Sequence, residues 1–175
     1  MTHIIAVAGS PAEKSKSTDL LKQALGHVEG LGFSSKLLSV RDISPNELIY
    51  GAEKDSPQLK QVTEHIERAV AIIIATPIYK AAYSGALKAF LDLLPQKSLA
   101  GKVVLPIATG GSHKHLLAID YALKPVLYAL GATHVLSGLY VSDEQVQRDS
   151  DGQLQLDEES GLRFSEQLDA LVKSV

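Results

Sequence analysis

Residues 71–88 read AIIIATPIYKAAYSGALK, and this stretch indicates the fold more clearly than any other part of the chain. Its first five residues are apolar and mostly β-branched, as expected of a strand that is buried on both faces of a parallel sheet. The apolar run ends at Thr76, and a helical pattern resumes after Gly85. Ligands of open parallel sheets bind beyond the carboxyl ends of the strands. The sequence therefore predicts a rigid loop, bearing Tyr79 and Lys80, where a flat, electron-poor ring could bind.

The composition is that of an ordinary globular protein. The chain has 175 residues, 45% of them hydrophobic and 21% charged, so we expect one domain over residues 1–175. A net charge of −3 offers no basic surface for nucleic acid. The absence of cysteine excludes disulfides, thiolate nucleophiles and iron–sulfur ligation. No apolar run approaches the ~20 residues that span a bilayer, and the chain begins as a strand without a basic leader, so we expect no membrane contact and a cytoplasmic location.

Strand-like and helical patterns alternate along the chain. Apolar runs of strand length cover residues 3–8, 35–40, 71–75, 102–108 and 133–141. Such alternation is typical of a parallel sheet with right-handed crossovers and helices on both faces. We therefore predict a flavodoxin-like three-layer α/β sandwich, with five parallel strands in the order 2-1-3-4-5.

Several residues mark the limits of the helices. Ser17 or Thr18 can cap the first helix, Ser56 caps one that runs to about residue 69, and Ser84 caps one that reaches residue 94. A longer helical pattern covers residues 112–130. The predicted buried faces of the first and last helices comprise Leu20, Leu21, Ala24, Leu25, Val28 and Leu31, and Leu162, Phe164, Leu168, Leu171 and Val172.

A proline interrupts the pattern of residues 112–130. Pro125 has no N–H to donate to the carbonyl oxygen of Tyr121, four residues earlier, and its ring clashes with that group. The usual cost is ~3 kcal/mol. We therefore expect a π-bulge or a kink around Tyr121, and π-bulges frequently lie at functional sites.

The loop after the first strand runs from Gly9 into a helix N-terminus. Backbone amides and the positive end of the helix dipole bind anions at such a place, and Lys14 and Lys16 add positive charge. Neither G-x-G-x-x-G nor G-x-x-x-x-G-K-[ST] is present, so a polar turn with a helix cap is an equally good interpretation of this loop alone. The candidate phosphate ligands are Ser10, Ser15, Ser17 and Thr18.

Two further loops lie at the same predicted sheet edge. The loop after the third strand could supply an aromatic wall, or its residues could simply cover the core. The loop after the fourth strand could present glycine amides to the carbonyl edge of a heterocycle, or form a plain turn. Taken together, a phosphate loop, an aromatic wall and a glycine edge predict FMN. The candidate ring ligands are Pro77, Ile78, Tyr79 and Lys80 in one loop, and Thr109, Gly110 and Gly111 in the other.

No metal site is expected. His113 and His115 are two residues apart in a helical pattern, so their side chains do not face each other. The remaining histidines are scattered along the chain.

The chain resembles the NAD(P)H-dependent FMN reductases of the flavodoxin-like superfamily. Within these it is similar to the flavin reductase component of two-component alkanesulfonate monooxygenases. The resemblance spans residues 4–141 and departs at Ala12, where these enzymes often carry an arginine beside the phosphate. The matching segments are residues 8–11, Ser15-x-Ser17, and residues 75–88, 91–95, 99–111 and 115–127.

The resemblance implies that FMN is reduced by NADPH, or by NADH, and then released to a partner monooxygenase that takes sulfur from alkanesulfonates. It also implies a homo-oligomer, a dimer or more specifically a tetramer, with Tyr121 at a subunit interface near the flavin. By position, Ser10, Ser15, Ser17 and Thr18 would hold the phosphate, Pro77 to Lys80 would border the isoalloxazine, and Thr109, Gly110 and Gly111 would border its pyrimidine edge.

Hydride transfer between nicotinamide and flavin needs close stacking and no acid–base triad. We therefore expect no catalytic side chain. Three alternatives remain open at this point: a flavodoxin-type electron carrier, a quinone or azo reductase with prosthetic FMN, and a scaffold that binds no flavin.

Overall fold

The computed structural model describes residues 3–53 and 55–175. Its main sheet contains the strands β1 (His3–Ala8), β2 (Ser34–Ser39), β3 (Ala71–Tyr79), β4 (Ala82–Tyr83), β5 (Val103–Gly110), β6 (His134–Val135) and β7 (Leu139–Ser142). Their order is β2-β1-β3-β5-β6, with β7 also paired to β5 and β4 to β3. The β3–β4 pair is antiparallel and the other pairs are parallel. Counting β6 and β7 as one position, this is the predicted flavodoxin-like order.

The sheet has seven strands, so the prediction of five was wrong. The predicted fifth strand is broken into β6 and β7, which pair with the beginning and the end of β5. Gly138 lies in the break with a φ of +90°, and a Cβ atom there would lie 2.7 Å from the carbonyl oxygen of Pro106. Only glycine fits this conformation and this approach. The short strand β4 is the other addition.

The helices are α1 (Lys16–Gly30), α2 (Pro45–Tyr50), α3 (Pro57–Arg68), α4 (Gly85–Asp92), α5 (Lys124–Ala129) and α6 (Glu158–Lys173). Buried side chains of α1 and α6 pack on one face of the sheet, and those of α3, α4 and α5 pack on the other. This gives the predicted three layers. Helix α2 and a hairpin of β8 (Val146–Arg148) and β9 (Leu154–Leu156) were not predicted. Among the described residues, no helix is both long and apolar enough to cross a bilayer.

Two of the predicted helix caps are confirmed and one is wrong. Ser56 and Ser84 each accept a hydrogen bond from the backbone N–H three residues later. The N-cap position of helix α1, however, is Ser15, whose side chain makes no capping hydrogen bond, so that Ser17 and Thr18 lie within the first turn of the helix.

Two leucines were wrongly assigned to buried faces. Leu31 is 53% exposed because it lies just after the last residue of α1. Leu162 is 62% exposed, since it lies about half a turn away from the buried Phe164. The other predicted residues of these two faces are buried or half-buried.

The expected disturbance around Tyr121 is confirmed. Residues 112–130 form a 3₁₀ turn (His113–His115), a π-helical segment (Ile119–Leu123) and then α5, in place of one straight helix. The N–H of Lys124 donates to the carbonyl oxygen of Ile119, five residues earlier. Pro125 thereby falls in the first turn of α5, where its missing N–H costs little. The π segment leaves Tyr121 80% exposed.

Candidate functional site

The loop after β1, the carboxyl ends of β3 and β5, and the residues that follow β5 and β7 meet in one cleft of about 240 Å³ at the carboxyl edge of the sheet. Eight of the eleven predicted ligand residues line this cleft; Ser17, Thr18 and Lys80 do not. The lining residues are Ser10, Ala12, Lys14, Ser15, Lys16, Pro77, Ile78, Tyr79, Thr109, Gly110, Gly111 and Asp143.

The first loop leaves the N-terminus of α1 open to an anion. Ser15 is the N-cap residue, but its side chain makes no capping hydrogen bond. Its Oγ pairs with Oγ of the buried Ser17 at 2.9 Å. Buried Ser10 braces the loop by accepting a hydrogen bond from the amide of Ala12 at 3.2 Å. The first amides of α1 therefore keep the donors that bind phosphate at helix N-termini.

The second loop was predicted as a rigid loop between a strand and a helix, and in the structure it is a β-hairpin. Tyr79 ends β3 and lies opposite Ala82 of β4. The two residues of the turn, Lys80 and Ala81, have φ values of +49° and +68°. This left-handed pair is the signature of a type I′ turn, which usually contains Asn and Gly. The hairpin leaves Tyr79 48% exposed at the cleft and Lys80 in solvent at the turn.

A buried hydrogen-bond network joins the hairpin to the first loop. The hydroxyl of Thr76 accepts from the amide of Ser84 at 3.0 Å and donates to the carbonyl oxygen of Pro77 at 2.9 Å. The hydroxyl of Ser84 donates to the carbonyl oxygen of Gly9, and the amide of Gly9 donates to Ala75 at 2.7 Å. Because Thr76 and Ser84 are fully buried, the network fixes the two walls of the cleft relative to each other.

At the carboxyl end of β5, where the third loop begins, Gly110 lies against the side chain of Tyr140. A Cβ atom on Gly110 would lie 2.3 Å from the hydroxyl oxygen of Tyr140. That hydroxyl donates to the carbonyl oxygen of Ser112 at 2.6 Å. Burial, and secondarily the carboxylate of Asp143, raises the pKa of Tyr140, so the hydroxyl keeps its proton. At Gly111 the nearest atom to an added Cβ is a carboxylate oxygen of Asp143, 3.8 Å away.

Asp143 is the site residue that sequence reasoning missed. It follows β7, and its Oδ1 lies 2.7 Å from Nζ of Lys16 across the cleft. Ser142, the last residue of β7, has its hydroxyl 3.1 Å from Nε2 of His113. The signal was present in the sequence, because a polar pair directly follows the fifth predicted strand at the same edge of the sheet.

A larger groove of about 500 Å³ lies between α2 and α4. Its wall is mostly apolar, and Arg41 at its rim donates to the carbonyl oxygen of Pro11 at 2.8 Å. A phosphate needs several converging donors, which the smaller cleft has and this groove lacks. The smaller cleft is therefore the better candidate for a phosphate ligand.

The residues of the cleft fit a flavin mononucleotide. Amides, hydroxyls and two lysines at one end suit a phosphate, and the hairpin supplies an apolar and aromatic wall for a flat ring. The amides of the third loop can donate to carbonyl oxygens of the ring.

Comparison with known proteins identifies the family of the chain. The family described as NADPH-dependent FMN reductase matches residues 2–147. An FMN reductase (NADPH) of Escherichia coli K12 is 52% identical over 143 residues, which cover 82% of this chain and 74% of that protein. An NADH-dependent FMN reductase, SfnF, of Pseudomonas putida is 38% identical over 81% of this chain and 77% of its own. The solved apo form of an NADH:FMN oxidoreductase, EMOB, superposes with a TM-score of 0.89 at 36% identity, covering 100% of this chain and 90% of that one.

Proposed function

Because the chain belongs to the NADPH-dependent FMN reductase family and is an NAD(P)H:FMN oxidoreductase, we propose that it uses FMN as an exchangeable substrate and hands the reduced flavin to a partner. Residues 1–175 act as one FMN-binding domain. Ser10 and Ser15 hold the phosphate, and the buried Ser17 supports Ser15 through the hydrogen bond between their hydroxyls. Pro77, Ile78 and Tyr79 border the isoalloxazine, and Thr109, Gly110 and Gly111 border its pyrimidine edge.

The observation that carries this proposal is the convergence of these loops in a small, open cleft. Its volume of about 240 Å³ is below the ~300–1,000 Å³ of pockets that bury most of a ligand of drug size. Part of a bound flavin must therefore remain outside the protein. An exposed ring face gives the nicotinamide access to the flavin and leaves the flavin a route for departure.

The chain contributes to the reaction by positioning its substrates. FMN, when bound, supplies the N5 atom that accepts hydride from the nicotinamide. The hairpin wall fixes the plane of the ring, while the network of Thr76, Ser84 and Gly9 keeps that wall and the phosphate loop at a fixed separation. The amides of Gly110 and Gly111 are the donors that can stabilise negative charge near the pyrimidine carbonyl.

The recipient of the flavin is proposed from the family resemblance. We infer an FMN-dependent monooxygenase that desulfonates alkanesulfonates, so that the pair serves sulfur acquisition in the cytoplasm. The relatives named above use NADPH in one case and NADH in the other. We propose NADPH as the preferred donor, because the relative with the higher identity uses it.

Exposed apolar side chains around the π segment support a homo-oligomer, a dimer or a tetramer. Leu116, Leu117, Tyr121 and Tyr128 are between 48% and 80% exposed, and a cluster of this kind marks association surfaces. We propose that Tyr121 packs across this interface and governs flavin departure. Tyr121→Ala should alter the molar mass measured by light scattering and should leave FMN tightly retained after dialysis. Unchanged mass and unchanged flavin exchange would refute this role.

The decisive experiment is a titration of free FMN into dialysed protein while NADPH oxidation is followed. Saturable dependence on added FMN is expected for a diffusible flavin substrate. A yellow protein whose NADPH oxidation does not depend on added FMN would instead indicate a prosthetic flavin and a quinone or azo reductase. Stable flavin without NADPH oxidation would indicate an electron carrier, and no flavin binding would indicate a scaffold. The same titration with NADH tests the preference for the donor.

A further inference from the structure

One ion pair crosses the cleft. Lys16 is the first residue of α1 and Asp143 follows β7, and Nζ of the lysine lies 2.7 Å from Oδ1 of the aspartate. Both side chains line the cleft, beside Ser15 at one end and Gly111 at the other. They are 36% and 54% exposed, so water reaches the pair. The pair therefore joins the end of the cleft that suits a phosphate to the end that suits the ring.

The position of this pair matters because Lys16 belongs to the helix turn that would meet the phosphate. A free ammonium there would add a full positive charge to the helix dipole and its amides. With Asp143 in contact, the phosphate meets a neutral pair instead. The second carboxylate oxygen of Asp143 also lies 3.8 Å from the Cβ position of Gly111, so its negative charge stays close to the ligand.

We propose that Asp143 lowers the affinity of the cleft for FMN by neutralising the charge of Lys16, and that the lower affinity keeps the flavin exchangeable. The inference rests on the proposed function, since it assigns a positioning residue to the same FMN site. It identifies a carboxylate whose effect on flavin binding is unfavourable, in a cleft whose other groups favour binding.

The expected size of the effect follows from the exposure of the pair. Partly exposed ion pairs of this kind change an equilibrium by between about 1.4-fold and 5-fold, and salt screens them over a Debye length of ~10 Å at 0.1 M. Removing the charge of Asp143 also removes its repulsion of the phosphate. We therefore expect Asp143→Asn to lower the Kd for FMN by about 2-fold to 5-fold at low ionic strength, with a smaller change at high salt.

The test is a set of fluorescence-quenching titrations of oxidised FMN in the absence of NADPH. The proteins are the wild type, Asp143→Asn, Lys16→Gln and the double variant. Glu144→Gln is the matched control, because it removes a neighbouring exposed carboxylate that does not line the cleft. Riboflavin is the control ligand, since it has the same ring and no phosphate.

The proposal expects tighter FMN binding only in Asp143→Asn, with riboflavin affinity and the Glu144→Gln control unchanged. It also expects a smaller gain when Lys16→Gln is already present, because only the direct repulsion between Asp143 and the phosphate is then removed. A gain that is equally large without Lys16, extends equally to riboflavin, or fails to occur would overturn it while leaving the reductase function intact. Failure of the wild type to bind FMN saturably would overturn the proposed function itself.

Discussion

Replacing Gly110 by alanine tests how tightly the third loop is packed. The added Cβ would lie 2.3 Å from the hydroxyl oxygen of Tyr140, which must retreat by about 1 Å to reach van der Waals distance. Tyr140 is 5% exposed and donates to Ser112 at 2.6 Å, so this retreat both strains the packing and breaks a hydrogen bond. Overpacking of this kind costs ~1–3 kcal/mol and the lost bond ~1 kcal/mol. We expect Gly110→Ala to lower the free energy of unfolding by about 2–4 kcal/mol.

The assay is equilibrium urea unfolding without flavin, followed by far-ultraviolet circular dichroism because the chain has no tryptophan. Tyr140→Phe alone should lower the free energy of unfolding by ~1 kcal/mol, because it removes the hydrogen bond to Ser112. In the Tyr140→Phe background, Gly110→Ala should lower the free energy of unfolding by far less, since the nearest atom to the added Cβ is then a ring carbon at 3.3 Å. Gly111→Ala is the matched control, with its nearest neighbour 3.8 Å away. Equal costs of Gly110→Ala with and without the tyrosine hydroxyl would refute the reasoning.

Three further predictions concern other parts of the structure. Thr76→Val keeps the side-chain shape but leaves the buried amide of Ser84 without its acceptor, so urea unfolding should show a loss of ~1–3 kcal/mol, and an unchanged midpoint would contradict it. The double change Lys80→Asn with Ala81→Gly relieves two left-handed residues and should raise the Tm by about 2–4 °C; a lower Tm would argue against the I′ turn. Burial lowers the pKa of His3 below its ordinary 6.5, so the unfolded chain binds more protons and stability should fall as the pH drops from 6.5 through the folded pKa. Urea midpoints measured across that window should depend less on pH in His3→Gln, and an identical pH dependence would exclude the effect.

The sequence predicted the layers of the fold because they depend on local patterns. The first strand was placed at residues 3–8, where the structure has β1. Capping by Ser56 and Ser84 and the disturbance at Pro125 were also predicted, since each depends on the chemistry of a few neighbouring residues. The position of the three loops at one edge followed from strand direction alone.

The features that were missed depend on contacts between distant segments. The break between β6 and β7 depends on how closely Gly138 approaches Pro106, 32 residues earlier in the sequence numbering. The hairpin after β3 has Lys80 and Ala81 in its turn, residues that carry no type I′ signal. Asp143 follows the fifth predicted strand, so its place at the sheet edge could have been predicted, but its contact with Lys16 could not be read from the sequence pattern.

The hydrogen bond between Ser84 and Gly9 has a consequence for folding. It joins residues 75 positions apart, so the walls of the cleft take their shape only after β1, β3 and α4 have assembled. Contacts of such long range form late, because the entropy of closing the intervening loop must be overcome first. Since the unfolded chain cannot present both walls at once, FMN binds the native chain alone and stabilises it by mass action, by ~2.7 kcal/mol at a hundredfold excess over the Kd. Free FMN at concentrations above its Kd therefore protects the folded reductase from unfolding, in addition to being its substrate.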